Sequence, residues 1–473
     1  MTVFRSIFVV LLVVTLAACA SGSSNAQRPK QLKFVETFPF DPERNPSLDG
    51  IWSNARYGVA LKFDGANFEI YNRIGQYCWP ERVPALRDAY VASMAESSLV
   101  SDKSKLTVRR ERGDDGLEFQ PIASLPADCE KPKDQLAVFD VFVELMRQYY
   151  PNFERRGVMW TRTTADLRRS INSIDSDDEL LDRINTVTAD LGDPNLKIFG
   201  PDFVWTGDQT NSRQIDMLRV AFNRQDVIDS FAEYQRRWYA AIQSQISTRI
   251  IERDAAVRLG GNLIYGRSAG NIGYLYVADT SAATIAEWVD ELELALDSLA
   301  STSSLIIDLS MADGGRAAVT TALAAFMLPR KTPMYLRKIN RIDDQQWSVV
   351  AAARNPVLRN KPVYLLLTNH TSGAGELAPL ILRGVPGVRF VGETTRGALS
   401  QPSQVSLPNG WVIDVPIIIL ADRQENLYDG IGFNPDFALE LFSESQLTDA
   451  HWQAVQTLNA LIQEGHFNTS AGP

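Results

Sequence analysis

The sequence predicts an α/β (α+β) protein, a mixed β-sheet with packed helices, preceded by a small β-rich domain and a helical region. Three observations carry this. Between residues 272 and 382, short apolar strand patterns alternate with helical ones, the order that builds a parallel or mixed sheet with helices on it. Between Leu48 and about Cys129, short strand patterns are separated by turn residues. Between Leu136 and about Leu191, apolar residues recur at helical spacing.

In chain order, Arg5 and the apolar run 7–18 read as a signal peptide, because the run is shorter than the roughly 20 apolar residues that span a bilayer. The run ends in Leu16-Ala17-Ala18-Cys19, which resembles a bacterial lipobox and makes Cys19 the expected lipidation site. Residues 1–19 are then leader and lipobox, and residues 20–46, opening Ala20-Ser21-Gly22-Ser23-Ser24-Asn25, a flexible tether. A lipid chain attaches a protein to a membrane without spanning it. Ala20 is not an acid of the Asp kind that retains lipoproteins at an inner membrane, so the expected location is extracytoplasmic, on the periplasmic side of an outer membrane.

Residues 47–130 form the expected β-rich domain, with strands around Gly50-Ile51-Trp52, 57–63 and 68–71, the last two joined through Asp64-Gly65 and Asn67. Residues 131–258 form the helical region. Its apolar pairs Val138-Phe139, Phe142-Val143 and Leu145-Met146 are followed by Leu180-Leu181, Ile184 and Val187, then an irregular Gly- and Asp-containing loop, then a helical stretch from Ile215 to about Val257. Residues 259–445 are the α/β core, with strands 272–277, 305–309 and 362–367 and helices 283–299, 317–328 and 374–382. Residues 446–473 are a C-terminal helix and tail.

Composition excludes some functions. A net charge of −10 without a basic cluster argues against nucleic-acid binding, which needs a positive footprint. The sequence holds no H-E-x-x-H, no C-x-x-C and no close histidine pair, so neither a metal nor a cofactor is expected. With Cys19 assigned to lipid, Cys78 and Cys129 remain as a candidate disulfide in an oxidising compartment, two buried free thiols being the alternative.

The turn Thr368-Asn369-His370-Thr371-Ser372-Gly373, at the C-terminal end of a strand and before a helix, is where an α/β protein places chemistry. Around it stand Asn271-Ile272-Gly273-Tyr274-Leu275, then Leu305 to Leu309 with Gly314-Gly315, and Thr371-Ser372-Gly373-Ala374-Gly375-Glu376. Val391-Gly392-Glu393-Thr394-Thr395, Leu407-Pro408-Asn409-Gly410-Trp411 and Gly430-Ile431-Gly432-Phe433-Asn434-Pro435-Asp436 follow. Six landmarks in this order resemble the tail-specific (C-terminal processing) serine peptidases, nearest to members without a PDZ domain and with a histidine base, related to the tricorn core peptidase. The resemblance implies a crotonase-like core and hydrolysis of proteins or peptides. It also implies where the chemistry should sit. Aligned on Thr371 and Glu376, the nucleophile position is Gly373; the lysine position of the Ser-Lys members is Ala398; the histidine position, in Leu191-Gly192-Asp193-Pro194-Asn195, is Asn195. All three are degenerate.

The residues themselves offer Ser372 as a nucleophile and His370 as its base, with the N–H groups of Gly373 and Ala374 as oxyanion donors. Two other histidines, His451 and His466, fall in the C-terminal segment, where a solvated helix face is expected. No S-x-x-K occurs. Gly266-Arg267-Ser268-Ala269-Gly270 fits G-x-S-x-G, but a strand follows it, so a hairpin turn is expected. Asp308, Asp313 and Glu376 are candidates for an acid pair, with strand-end and helix-start roles the favoured reading; Trp205, Tyr234, Trp238 and Tyr239 read as a helix-packing cluster, with the lining of a peptide groove as the alternative. Two function classes stay open: a serine endopeptidase, and a catalytically inactive relative that binds an extended peptide or protein partner by strand addition.

Overall fold

Alternation of inward and outward side chains fixes the first sheet. In the strand Val59–Asp64, Val59, Leu61 and Phe63 are buried and Lys62 between them is exposed. It pairs antiparallel with Gly50–Asn54 and Asn67–Ile74. Eight strands in all pair here, and Trp52, Leu106, Val108 and Phe119 pack with Leu61 beneath them. Cys78, on the strand Tyr77–Pro80, is disulfide-bonded to Cys129, with Cα atoms 4.5 Å apart. The structure is a computed structural model. It describes residues 38–39, 48–64, 67–94, 98–99, 104–108, 116–126, 129, 134–207, 212–329, 331–339, 345–349 and 361–467. Cys19, the leader and all of the tether except 38–39 lie outside the described residues.

Asp134 caps the helix Gln135–Tyr149, whose buried face is Val138, Phe139, Val141, Phe142, Leu145, Met146 and Tyr149. Ser176 caps the next long helix, Asp177–Thr188. The segment after it departs from the sequence expectation. Where an irregular loop was expected, the chain forms the strands Asp193–Phe199 and Val204–Gly207. The first pairs with Val412–Ala421, more than two hundred residues away, and a partner so distant leaves no local signal. These strands join Pro333–Ile339, Gln345–Val349 and Gln401–Ser406 in a second, six-stranded sheet. The helical stretch expected from Ile215 to about Val257 is two helices, Arg213–Phe222 and Phe231–Gln245, capped by Ser212 and Ser230, and a π-turn Ile246–Ile250; its end is instead the strand Arg253–Arg258, drawn into extended form by pairing with Leu263–Ser268. The side chain of Gln225 ties the turn between them through Phe222 O, Ile228 O, Val227 N and Ile228 N.

The third sheet carries the expected α/β pattern. Its order is Arg253–Arg258, Leu263–Ser268, Ile272–Val277, Ser304–Asp308, Val363–Leu367, Val388–Gly392 and Phe437–Ala438. The first three strands are antiparallel; from Ile272–Val277 onward neighbours are parallel. Both faces are covered, which is why these strands are apolar throughout. Leu275, Val277, Leu305 and Ile307 pack with Trp288 and Leu292 of the helix Ile285–Ser298. Tyr274, Tyr276, Ile306 and Leu366 pack on the other face with Ala454, Val455 and Leu458 of the C-terminal helix Asp449–Gln463. Gly266 to Gly270 end the Leu263–Ser268 strand and turn into Ile272–Val277, with Gly270 at φ +71°, so the G-x-S-x-G run is a hairpin.

Two expectations about side chains are corrected. His451 does not lie on a solvated face: its side chain is 0% exposed and its Nε2 is 2.8 Å from Asp308 Oδ2. The helix turns that residue onto the sheet together with Val455 and Leu458. His466 is exposed, beside Glu464. Trp205 is not part of the helical aromatic cluster; it lies on the strand Val204–Gly207, its indole N–H facing Asn185 Oδ1 at 3.3 Å. Trp238 and Tyr239 do pack together, with Trp238 also against Phe442, and Tyr234 packs on Phe222.

Candidate functional site

Two strand ends meet at the site. The loop after Ser304–Asp308 and the turn after Val363–Leu367 are strapped together by a ladder of hydrogen bonds. Thr368 Oγ1 donates to Ser310 O at 2.6 Å, Thr371 Oγ1 to Leu309 O at 2.8 Å and Ser372 N to Ala312 O at 3.0 Å; Gly314 N returns one to Ser372 O at 3.1 Å. The turn is therefore a fixed scaffold, positioned by backbone pairing that ends in a parallel bridge between Asp313 and Ser372.

Ser372 is half-buried at φ −146°, ψ 165°, in the cap position of a 3₁₀ turn, Gly373–Glu376. Its side chain does not cap that turn. Its hydroxyl donates to the Asp313 carboxylate. His370, two residues earlier, faces away from it. The ring is buried, with Nδ1 2.9 Å from Ser212 Oγ and Nε2 2.7 Å from the Tyr239 hydroxyl. Ser212 Oγ also accepts the N–H of Ile215 at 3.3 Å, which ties the ring to the start of the following helix. Burial holds the His370 pKa below the usual imidazole range, against a smaller opposing pull from Asp313. Both ring nitrogens are thus engaged with the helices Arg213–Phe222 and Phe231–Gln245, and neither serves Ser372.

The three positions drawn from the family resemblance converge in space. Asn195 Nδ2 donates to Ala398 O at 2.9 Å. A β-carbon placed on Gly373 would lie 3.9 Å from that same carbonyl oxygen and 3.3 Å from Gly314 Cα. Gly373, Asn195 and Ala398 bring no side chain that can accept a proton or attack a carbonyl. Gly373 sits at φ +53°, a region L-residues seldom occupy. The N–H groups of Gly373 and Ala374 precede the first hydrogen bond of the turn, Gly375 N to Ser372 O at 2.9 Å, which leaves them unused by it.

Glu376 is a structural anchor. Fully buried, its carboxylate accepts from Thr395 Oγ1 at 2.5 Å and from the N–H groups of Gly397 and Ala398 at 2.7 Å each. Burial pushes its pKa up to about 7, only partly offset by those three donors. Behind it lies a network that the sequence did not announce. Asp193 accepts from Tyr150 at 2.7 Å and from Asn195 N at 2.9 Å, while Asp429 accepts from Asn152 Nδ2 at 2.7 Å and Ser400 N at 2.8 Å. Arg156 reaches both carboxylates, at 3.5 Å and 3.6 Å. Burial pushes Asp193 up to about 6 although Arg156 opposes it. The loop 395–400 thus hangs from Glu376, Asp429 and Asn195. Ser212, Tyr150, Arg156 and Asp429 were missed as site residues, Ser212 alone among them carrying a sequence signal, as a cap before a helical run, while Asp313, read as a strand-end residue, proves to be the partner of Ser372.

Among the described residues no group of three or more His, Cys, Asp or Glu side chains is arranged to hold a metal ion. A groove of about 400 Å3 adjoins the turn, lined by Arg213, Asp216, Met217, Val220, Asn369 and Glu444.

The profile of Peptidase family S41 matches residues 271–439. A nisin-resistance protein of Lactococcus lactis subsp. lactis is 30% identical over 82 residues, 17% of this chain; the chain spans 26% of the length of that curated relative. A candidate peptidase from Parabacteroides merdae ATCC 43184 superposes with a TM-score of 0.54 at 18% identity, covering 69% of this chain and 97% of that one, a likeness that shows the fold. The photosystem II D1 C-terminal processing protease covers 68% of this chain and 97% of its own, at 13% identity and a TM-score of 0.41. The core is crotonase-like, with the mixed sheet and packed helices that the sequence led us to expect. Residues 271–439, which contain the site turn and the parallel strands beneath it, are a Peptidase family S41 domain.

Proposed function

We propose that this chain is an exported, lipid-anchored protein whose S41 domain binds an extended peptide or protein segment without hydrolysing it. One observation carries the reading: Ser372 is bonded to Asp313 while both nitrogens of His370 are bonded elsewhere, so the serine lacks the histidine base a hydrolase needs. Loss of a nucleophile or base in such enzymes typically removes about six orders of magnitude of rate. Gly373, Asn195 and Ala398 supply no substitute. The leader and Cys19 support attachment on the extracytoplasmic side of a bacterial outer membrane. The domain division 47–130, 131–258, 259–445 and 446–473 is kept as part of this reading, the first serving as a spacer from the membrane.

The contact between Ser372 and Asp313 favours a second reading, a serine endopeptidase in which this carboxylate accepts the hydroxyl proton and Gly373 and Ala374 hold the oxyanion. A soluble form beginning at Ala20 separates the two. Turnover of unstructured proteins and peptides is compared in the native form, Ser372→Ala, and a Gly373→Ser, Asn195→His double variant. We expect no turnover by the native form. Native cleavage that Ser372→Ala abolishes would establish the peptidase and end the binding-only reading. Activity gained by the double variant would locate the missing pair.

A further inference from the structure

We infer that Ser212, His370 and Tyr239 form a second nucleophilic site, in which Ser212 is the nucleophile and His370 its base, suited to a small uncharged ester. The site is distinct from Ser372 and goes beyond the peptide-binding reading above, Ser212 lying outside residues 271–439. Among the described residues Ser212 is the one serine whose hydroxyl meets an imidazole, Oγ standing 2.9 Å from His370 Nδ1. The other ring nitrogen, Nε2, is 2.7 Å from the Tyr239 hydroxyl. A hydroxyl within hydrogen-bond reach of a base, with a third group holding the far side of that base, is the arrangement nucleophilic catalysis requires. Both partners are fixed in place: His370 N donates to Thr368 Oγ1 at 3.1 Å and Arg213 N to Asn369 Oδ1 at 3.0 Å, so the chain neighbours of the pair are pinned as well.

The surroundings suit the chemistry. Ser212 is partly exposed while the ring behind it is buried. Burial, reinforced by Arg396 and opposed by Asp313, holds His370 below the usual imidazole range, so at neutral pH it is an unprotonated base. Ser212 caps the helix Arg213–Phe222, whose positive end favours the negative charge that develops on Oγ. The groove of about 400 Å3 beside the pair is lined by Arg213 and Asn369, their chain neighbours, and by the apolar Met217 and Val220. Arg213 is already held by Glu393 at 2.8 Å and by Glu440, so the lining offers no open cation to an anionic substrate, and an ester with a short apolar acyl chain fits it better. The reaction uses the tautomer protonated at Nε2, with Tyr239 accepting from it. Ser212 Oγ bonds to the ester carbonyl carbon as its proton passes to Nδ1. The imidazolium returns that proton to the leaving alkoxide as the ester C–O bond breaks, which leaves an acyl-serine. Water, deprotonated by the same nitrogen, then releases the carboxylic acid and restores Ser212.

The test is labelling of the soluble chain beginning at Ala20 with an alkyl fluorophosphonate, which forms an Oγ–P bond as fluoride leaves, and location of the adduct by peptide mass spectrometry. We expect the adduct on Ser212 in the native chain and in Ser372→Ala, none in Ser212→Ala, and none when the native chain is first unfolded in urea. The labelling rate should fall as pH drops and His370 takes a proton, with a midpoint below the usual imidazole range. His370→Gln should slow labelling about a hundredfold or more. Tyr239→Phe, which keeps the ring packing but releases Nε2, should slow it about tenfold and shift the pH profile. The pH profile belongs to the native chain, so it stands even where a variant at the buried His370 fails to fold. An adduct on Ser372 alone would overturn the assignment and favour the endopeptidase reading. The absence of any adduct on the folded chain would overturn it too, while leaving the peptide-binding reading untouched.

Discussion

Glu376 shows how one side chain can serve the fold at the place where chemistry was expected. Its carboxylate offers acceptors to three donors from 395–398, and a glutamine there must turn an NH2 toward at least one N–H. Glu376→Gln should therefore cost about 1–3 kcal/mol of stability. The pH dependence has a definite sign. The folded pKa is raised, to about 7, so the stability this group contributes is fully present below the ordinary carboxylate range and is lost as pH rises toward 7. The gap between native and variant, read from denaturant unfolding at several pH values, should be widest below about pH 4, narrow as pH rises toward 7, and level off above it. A constant gap would mean that Glu376 is ionised throughout. Asp193, raised to about 6 by burial, acts in the same direction over its own, lower window.

At the scale of elements, the C-terminal helix is docked by a buried contact between His451 and Asp308 as well as by apolar packing. Asp308 ends the Ser304–Asp308 strand and accepts from Ser310 N at 2.9 Å and from Tyr274, while His451 approaches it at 2.8 Å. Burial drives the Asp308 carboxyl up, but the charge and hydrogen bond of His451, with the bonds from Ser310 and Tyr274, outweigh this and hold it below the usual range. Removing one partner strands the other. His451→Leu should lose about 3–5 kcal/mol, and adding Asp308→Leu should recover part of that, because a desolvated pair is worth much less than the penalty of breaking it. A double-variant loss equal to the sum of the His451→Leu and Asp308→Leu losses, by chemical denaturation, would show that the two residues are not coupled. The same logic explains why the His451 position misled a local reading. The helical period was visible, but which face met the sheet depended on strands more than a hundred residues earlier.

At the scale of the whole molecule, the disulfide constrains the chain before it folds. Cys78 and Cys129 are 51 residues apart, a span for which chain entropy alone gives about 4 kcal/mol. A Cys78→Ser, Cys129→Ser variant should unfold at correspondingly lower denaturant concentration, and a reducing agent should affect the native form but not the variant. If the reducing agent leaves the native midpoint unchanged, the bond does not carry that stabilisation in solution. The effect would reach the core through side-chain bonds between the first sheet and the rest: Asn72 Nδ2 donates to Ser406 Oγ at 3.0 Å, and Ser406 Oγ donates to Glu81 at 2.7 Å.

What the sequence determined by itself follows from short-range physics. The apolar strands from Ile272 to Leu367 and the helices between them were legible because period and turn residues are local properties, and the ordered motifs around Ser372 marked the S41 core. The hairpin at Gly266 to Gly270 was legible for the same reason. Tertiary structure alone decided the rest. The six-stranded sheet depends on pairing Asp193–Phe199 with Val412–Ala421, which no window spans. The engagement of His370 by Ser212 and Tyr239, the bond from Ser372 to Asp313 and the meeting of Asn195 with Ala398 each join segments far apart in the chain. Direction and burial of a side chain are set by what the fold packs against it, and those neighbours are chosen only when the sheets assemble.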